Sequence, residues 1–339
     1  TIYERLLSFN EHANIVAQAT AGLAWSRSAT STSTAKENDK TFDQLLERYP
    51  DCPLAPQAIM LRALALERRQ EQQQAVHLYE QLLERYPRTA QAPDALLAAA
   101  RLCSELSSQR DAVELLRRLT VEYPRYQHTD AALHLWAWAL IDLGHADAGD
   151  QLLQRVVTEF PRSRYWGDAS QRLAEQAAAR NDFATAKQLL ERLLTIDAEP
   201  ALRMESLLLR GKIAATEKQW GDVARFMNQV VEQQGNQSQR TTAEYWLAEA
   251  DYRRGEYTAA ARRWARLEGE AGGRRDAWGA LVSLRHAQTL SQLKKWDEAY
   301  ELASALAHET EDFPQQKELD LLLARCYLQK EKPAEAREA

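Results

Sequence analysis

The sequence predicts an all-α solenoid of stacked antiparallel helix pairs, and two periodic patterns point to this fold class. The first is an aromatic residue followed by proline, which recurs with the prolines 37 residues apart at Tyr49-Pro50, Tyr86-Pro87, Tyr123-Pro124 and Phe160-Pro161. Proline cannot donate the next helical hydrogen bond and disfavours helical geometry in the residue before it. Each pair therefore marks a helix end, and a period of this length is typical of solenoids.

The second pattern is a small residue that recurs about once per 37 residues, at Ala75, Ala112, Gly149, Ala186, Ala224, Ala260, Ala299 and Ala336. A large apolar residue usually follows four positions later and another three positions after that, as Tyr79 and Leu82 do after Ala75. These offsets place one close-approach point and two large side chains on the same helix face. We therefore expect each small residue in a second helix (helix B) that packs against the first helix (helix A) of its pair.

The predicted elements follow in chain order. Residues 1–37 form an N-terminal helical segment and a polar loop, a degenerate repeat that matches the later units poorly. Residues 38–339 form a solenoid of about eight repeats, which starts with a B-type helix at about 40–49. From Pro53 onwards each repeat has an A helix, a short polar turn and a B helix, first at about 55–69 and 72–85. The glycine-rich residues 268–275 form a longer loop, and the chain stops within the last B helix, as expected of a fragment of a longer protein.

The composition favours a protein partner over nucleic acid or a membrane. The 339-residue chain has 43 basic and 49 acidic residues and a formal net charge of -6. The two signs are mixed along the chain, so no single-sign block indicates nucleic acid or an anionic membrane. No apolar run approaches the roughly 20 residues that cross a bilayer. We therefore predict no nucleic-acid partner and no direct membrane insertion within these residues.

The side chains that usually carry catalysis or bind metals do not form a recognisable set. The cysteines Cys52, Cys103 and Cys326 lie far apart, and the latter two fall on apolar helical positions, where cysteine is a small core residue. The seven histidines include no pair four residues apart and no zinc-binding helix motif. One glutamate recurs beside each stop, which favours an exposed helix-end charge over catalysis. We predict no catalytic residue, no metal, no cofactor and therefore no enzyme.

Tryptophans supply many of the large side chains expected between helices. The residues that we assign to inter-helix packing are Trp136, Trp220, Trp264 and Trp296. Trp138 lies two residues after Trp136, and helix positions two apart point about 200° away from each other. If Trp136 is the packing residue, Trp138 faces a groove or a loop, beside His134 one turn earlier.

The spacings resemble the tetratricopeptide repeat (TPR), whose consensus has a large residue, Leu-Gly and Tyr in helix A, then Ala, Phe, Ala and a closing Pro in helix B. Three units carry the resemblance, with the matching residues Ala75, Tyr79, Leu82 and Pro87; Leu247-Ala248, Gly255, Tyr257, Ala260, Trp264 and Leu267; and Leu323-Ala324, Tyr327 and Ala336. The resemblance covers about residues 38–339. The units exceed the 34-residue consensus by about three residues. Longer units of this kind are similar to repeats of bacterial envelope proteins, such as the Tol-Pal coordinator and the outer-membrane assembly lipoproteins.

The resemblance implies a right-handed superhelix whose concave wall is lined by A helices and holds a peptide or partner segment. The leading hypothesis is a non-catalytic protein–protein interaction scaffold within a larger bacterial protein or envelope complex. Two alternatives stay open: an architectural segment that spaces or dimerises larger domains, and the helical non-catalytic region of a larger enzyme. A periplasmic or envelope-associated location, a cytoplasmic location and the oligomeric state also stay open.

The register gives the A-helix positions that point away from the B helix and so line the predicted groove. They are Met60, Leu64, Leu97, Arg101, His134, Trp138, Gln171, Glu175, Tyr245, Glu249 and Tyr252. The set mixes aromatic or apolar anchors with single charges, which is the composition expected of an interaction surface. We predict that these residues contact the partner.

Overall fold

The protein is helical in the part of the chain that its computed structural model describes, namely residues 40, 46, 47, 52–195, 199–233, 236–271, 277–309 and 314–329. Fifteen full helices and no strand occur in these residues, which confirms the predicted all-α fold class. The predicted N-terminal segment 1–37, most of the first B-type helix, residues 272–275 and Ala336 lie outside the described residues.

A helices alternate with B helices along the chain. The A helices are α1 (Ala55–Arg68), α3 (Ala92–Glu105), α5 (Thr129–Asp142), α7 (Trp166–Ala179), α9 (Pro200–Thr216), α11 (Gln237–Arg253), α13 (Ala277–Gln292) and α15 (Gln316–Gln329). The B helices are α2 (Gln72–Arg85), α4 (Gln109–Glu122), α6 (Ala146–Glu159), α8 (Phe183–Thr195), α10 (Trp220–Glu232), α12 (Tyr257–Ala271) and α14 (Trp296–Glu309). They belong to two compact units, Thr1–Ala169 and Ser170–Ala339. Within each unit neighbouring helices pack on each other, as α5 does on α6 and α10 on α11.

At the three aromatic-proline pairs that the structure describes, the aromatic residue directly follows a B helix, as predicted; Tyr49-Pro50 lies outside the described residues. Tyr86, Tyr123 and Phe160 directly follow α2, α4 and α6, with φ from -132° to -125° and ψ from 50° to 62°. Each backbone N–H still donates to the carbonyl four residues earlier. The proline that follows has no N–H, so the helix cannot continue.

The three loops after these stops share one backbone conformation. In each loop the N–H three residues after the aromatic residue donates to the carbonyl of that aromatic residue. The donors are Thr89, Tyr126 and Ser163, at 3.2, 3.0 and 2.9 Å from the carbonyls of Tyr86, Tyr123 and Phe160. Equivalent residues therefore occupy equivalent places in the three loops.

The turn inside each helix pair contains one residue with a positive φ. This residue recurs with the repeat, with φ from 60° to 85°, at Gln70, Ser107, Gly144, Asn181, Lys218, Gly255 and Lys294. The left-handed conformation turns the chain so that the next N–H reaches the carbonyl five residues back, as Glu71 reaches Leu66 at 3.0 Å. Gly255 closes one of these turns, as predicted, and glycine adopts the conformation without the strain that a Cβ introduces.

The B-helix register is confirmed at six of the seven predicted positions that the structure describes. Six of the predicted small residues are buried, namely Ala75, Ala112, Gly149, Ala186, Ala260 and Ala299. In α10, however, Val223 is fully buried and the predicted Ala224 is only partly buried. Space for α10 comes from the facing A helix, because a Cβ on Gly211 would collide with the side chain of Met227. The small residue of this pair thus lies on α9 instead of α10.

Most predictions about single side chains in the core are confirmed. Trp264 is fully buried, and the other three packing tryptophans are partly buried against the apolar core. Cys103 and Cys326 are buried, and burial raises the pKa of the Cys103 thiol to about 11. The predicted start of the glycine-rich loop at residue 268 is wrong, because α12 continues to Ala271 and therefore includes Gly269.

Candidate functional site

A pocket of about 420 Å³ opens in the first unit between the A helices α3 and α5. Two loops complete its walls, one before α5 and one before α7. The pocket residues are Asp94, Leu97, Ala98, Arg101, Tyr126, His128, Ala131, His134, Leu135, Arg164 and Tyr165. Three of the predicted groove positions, Leu97, Arg101 and His134, are therefore brought together here.

The floor of the pocket is aliphatic. Leu97 and Ala98 on α3 and Ala131 and Leu135 on α5 are each partly exposed. The pocket residues of each helix are three or four positions apart, so they lie on one face of that helix. Two such faces meet in the pocket, and a ligand that covers them gains from removing apolar surface from water.

His134 is fixed in the pocket wall by Asp168 and Tyr165, and Trp138 binds the same carboxylate. Its Nε2 lies 2.6 Å from Oδ2 of Asp168, in the first turn of α7. The indole N–H of Trp138, one turn further along α5, lies 3.1 Å from the same oxygen. Tyr165 stacks on the imidazole with 4.5 Å between ring centroids and 23° between ring planes. A protonated Nε2 donates and cannot accept, so both N–H groups converge on the Asp168 carboxylate.

This convergence has an electrostatic consequence. The hydrogen bond from His134, with a smaller contribution from Trp138, holds the pKa of the Asp168 carboxyl below its usual value. Trp138 itself does not line the pocket. Its role in the structure is to orient the Asp168–His134 pair.

Arg101 reaches the pocket with its charge already paired. Its Nη1 donates to Glu105 at 2.7 Å, and its Nη2 donates to Glu67 on α1. Glu67 also accepts the hydroxyl of Tyr79 at 2.6 Å, and burial together with this carboxylate raises the pKa of Tyr79 well above its usual value. Arg101 is therefore an ordered rim residue whose guanidinium joins α1 to α3.

Tyr126 connects the loop before α5 to α3. Its hydroxyl donates to Asp94 Oδ1 at 2.6 Å, and its ring meets that of His128 edge-on with centroids 5.4 Å apart. Burial, with this carboxylate, raises the pKa of Tyr126 well above its usual value. Tyr126 and Asp94 also line a second pocket of about 520 Å³, together with Arg125. The two pockets therefore share a wall.

Comparison with known proteins identifies the repeated unit. Residues 57–89 and 131–163 match the family model described as the tetratricopeptide repeat. These segments are tetratricopeptide repeats. Each TPR segment contains most of an A helix, the whole following B helix and the aromatic-proline stop. The second segment includes three of the pocket residues, Ala131, His134 and Leu135. Among curated proteins, none matches the chain.

Solved structures of TPR proteins are similar to this chain. A tetratricopeptide repeat protein from Parabacteroides merdae ATCC 43184 is 13% identical, with 80% of this chain and 99% of that chain covered and a TM-score of 0.47. YrrB, described as a TPR protein with an unusual peptide-binding site, is 14% identical, with 60% and 97% covered and a TM-score of 0.48. PilF of Pseudomonas aeruginosa is 15% identical, with 70% and 97% covered and a TM-score of 0.47.

The TPR units indicate a scaffold for protein–protein interaction, because stacked repeats offer extended binding surfaces. Among the described residues, no group of three or more His, Cys, Asp or Glu side chains is placed to hold a metal ion. None of the described helices is both long and apolar enough to cross a membrane.

Sequence reasoning missed the pocket residues that lie in the loops between consecutive helix pairs, above all Tyr126, Arg164 and Tyr165. It considered A-helix positions only, whereas these residues precede α5 and α7. A signal was present, because the fourth residue after the stop proline is aromatic in both loops, as His128 and Tyr165. The shared loop conformation turns both rings toward the same pocket.

The predicted positions Gln171 and Glu175 lie in the second compact unit and have different surroundings. Gln171 is 5% exposed, and its Oε1 accepts the hydroxyl of Ser206 at 2.8 Å. Its Nε2 donates to Glu175 at 2.9 Å, and Glu175 is exposed. Gln171 therefore joins α7 to α9 and presents little surface to a partner.

The predicted trio on α11 also takes part in packing. Glu249 is 6% exposed and accepts from Arg253 at 2.7 Å. Tyr245 meets the ring of Trp264 edge-on at 5.3 Å, and burial raises the pKa of Tyr245 above its usual value. Tyr252 meets Tyr257 edge-on at 5.5 Å. These three side chains therefore contribute mainly to the interior of the unit.

The last two predicted positions, Met60 and Leu64, lie on α1 outside the pocket. Met60 is partly buried against the core, whereas Leu64 is 37% exposed. Leu64 therefore offers apolar surface on the A helix before the one that carries Leu97.

Proposed function

We propose that this chain is a non-catalytic scaffold that binds a peptide or partner segment in the pocket between α3 and α5. The observation that carries the proposal is an open pocket with an aliphatic floor and ring-lined walls. The rings belong to Tyr126, His128, His134 and Tyr165. Aromatic side chains around an apolar floor are the composition of interface hot spots.

The pocket is ordered before any ligand arrives. His134 is held by Asp168 and Tyr165, and Tyr126 is held by Asp94. A ligand therefore does not have to immobilise these rings, and the entropic cost of binding is smaller than for mobile side chains. This order supports a role in recognition of a defined side chain.

The remaining predicted groove positions fit this proposal unequally. Leu97, Arg101 and His134 belong to the pocket, and Trp138 orients its wall. Burial of Gln171 and Glu249 favours an architectural role for the second unit. The larger bacterial or envelope assembly predicted from the sequence stays a prediction.

A pocket-filling substitution tests the proposal. Peptides would be selected on the immobilised chain from a random twelve-residue display library, and their binding would be measured by fluorescence anisotropy. Ala131→Phe places a ring in the pocket without removing any of its hydrogen bonds. We expect selected peptides to bind this variant at least roughly tenfold more weakly, a change of about 1.4 kcal/mol.

The matched control is Ala148→Phe, because Ala148 is an exposed alanine on the B helix α6. It adds the same ring away from the pocket, and circular dichroism checks that both variants are folded. If the selected peptides bind both variants as well as they bind the original chain, the pocket is not the binding site. If the library gives no binder at all, the scaffold proposal for this unit fails.

A further inference from the structure

The loops beside the pocket carry a row of arginines in the repeat register. Three of the four stop prolines are followed directly by an arginine, namely Arg88, Arg125 and Arg162, which lie 37 residues apart, whereas Asp51 follows Pro50. All three are exposed. Within the described part of the chain, no carboxylate forms an ion pair with any of them.

The loop geometry places these arginines equivalently. The hydrogen bonds from Thr89, Tyr126 and Ser163 give the three loops the same backbone conformation. The hydroxyl of Tyr123 also donates to the carbonyl of Pro87, which ties the first loop to the second. The three arginines therefore occupy equivalent backbone positions in consecutive loops of the first unit, one per repeat.

The acidic residues closest in sequence to this row are largely paired elsewhere. Glu122 accepts from Arg118 at 3.3 Å, and Glu159 accepts from Arg155 at 2.8 Å, each within its own helix. Asp130 accepts the hydroxyl of Ser163 at 2.6 Å. Glu84, at the end of α2, is exposed and lies near the first arginine in sequence. Arg125 and Arg162 therefore have no ion-pair partner among the described residues, although the Asp130 carboxylate keeps its charge.

The row is continuous with the pocket. Arg125 lines the second pocket, which shares Asp94 and Tyr126 with the first. Arg164 lines the first pocket, where its guanidinium carbon lies 4.6 Å from the centroid of the Tyr165 ring. Asp94 is the acidic pocket residue, and its carboxylate already accepts the Tyr126 hydroxyl.

We propose that the partner segment is acidic: an apolar side chain enters the pocket between α3 and α5 while flanking carboxylates meet Arg125 and Arg164. This inference rests on the proposed function and names the chemistry of its ligand. Arginine suits the task because its planar guanidinium binds a carboxylate through two parallel hydrogen bonds. Arg88 and Arg162 extend the contact along the loop edge.

An acidic peptide fits these observations better than a lipid surface or a nucleic acid. The pocket is built of aliphatic and aromatic groups, and a side chain of a peptide fills such a site. A flat anionic surface would contact the arginines and leave the pocket empty. The experiment therefore has to distinguish binding of an acidic peptide from binding of an anionic lipid surface or a nucleic acid.

Two synthetic probes test the inference. One is a fluorescein-labelled twelve-residue peptide with glutamates on both sides of a central phenylalanine, and the other has glutamine in place of every glutamate. We expect the acidic peptide to bind the chain more tightly, by roughly two- to fivefold for each arginine engaged at low salt. Added salt should reduce the difference, because exposed charges are screened.

The variant is the double substitution Arg125→Ala with Arg164→Ala, and its control is Arg110→Ala with Arg117→Ala. The control arginines are exposed on the B helix α4, so their substitution removes the same charge at a place away from the loops. We expect the preference for the acidic peptide to disappear in the first variant and to persist in the second. Loss of the preference in both variants would mean that only net charge matters, and it would overturn the inference.

The remaining outcomes separate this inference from the proposed function. Equal binding of the two peptides, with both weakened by Ala131→Phe, leaves the peptide pocket in place and overturns the acidic preference. If Ala131→Phe leaves the affinity for the acidic peptide unchanged, and phosphatidylglycerol vesicles or duplex DNA bind equally well, the arginines form a general anion-binding surface. This result overturns the inference. Absence of binding by either peptide up to about 1 mM, a free energy of about −4 kcal/mol, overturns it as well.

Discussion

Helices α5 and α6 pack closely at Gly149, and this contact predicts whether a substitution there stabilises or destabilises the protein. Gly149 lies in α6 and faces α5. A Cβ at this position would lie 2.6 Å from the carbonyl oxygen of Ala137 and 2.6 Å from Cγ1 of Ile141. Non-bonded atoms of this kind prefer separations of about 3.5–4.0 Å, so Gly149→Ala intrudes by about 1 Å at two places.

Two opposing effects determine the outcome of Gly149→Ala. Alanine favours the helix over glycine by about 0.8–1.0 kcal/mol. Overpacking costs about 1–3 kcal/mol, and the Ala137 carbonyl belongs to the backbone of α5 and cannot rotate away as a side chain would. We therefore expect a net loss of stability of about 1 kcal/mol, although the substitution is favourable by helix propensity alone.

The control for this prediction is Gly221→Ala in α10, where a Cβ meets no atom within 4 Å. Helix propensity alone then acts, and we expect a gain of up to about 1 kcal/mol. Urea unfolding followed by circular dichroism at 222 nm measures both changes. If Gly149→Ala stabilises the protein as much as Gly221→Ala does, α5 and α6 do not approach as closely as described, and the packing argument is wrong.

Two further predictions concern the helix turns and the pocket wall. Lys218→Gly should stabilise the protein by about 0.5–1 kcal/mol and Gly255→Ala should destabilise it, because both turn positions have a positive φ. Thermal unfolding measures both changes. Destabilisation by Lys218→Gly together with stabilisation by Gly255→Ala would contradict the turn geometry. Asp168 has a lowered pKa, so its paired carboxylate stabilises the fold above the ordinary Asp pKa of about 4 and loses this effect as the pH falls through the lowered value. Asp168→Asn should therefore be less stable than the original chain at pH 7, by less than about 1 kcal/mol because the carboxylate is half exposed. This difference in stability should shrink on acidification, and urea unfolding at pH 7 and pH 3 measures it. A difference that stays constant between the two pH values would contradict the linkage.

The sequence alone determined the repeat, its length and the roles of its periodic positions. The stops at Tyr86, Tyr123 and Phe160 follow from the chemistry of the proline after each of them, which acts locally and without tertiary contacts. The buried face of each B helix follows from the spacing of small and large apolar residues, as at Ala75 and Tyr79. Such features can be predicted from the sequence because the same residue pattern recurs in consecutive repeats.

The tertiary structure decided which of the outward A-helix positions stay open and where small residues are required. Gln171 and Glu249 occupy the same register as pocket positions but are buried, because neighbouring helices supply partners that the register does not contain. The change from Ala224 to Val223 in α10 depends on Gly211 in another helix, since helix approach is set by the summed volume of both faces. The pocket itself needs Tyr126 and Tyr165, which lie in loops and reach α3 and α5 only once consecutive repeats have stacked. A linear periodicity specifies the repeated unit, whereas the pocket is made by side chains of different repeats that meet in space.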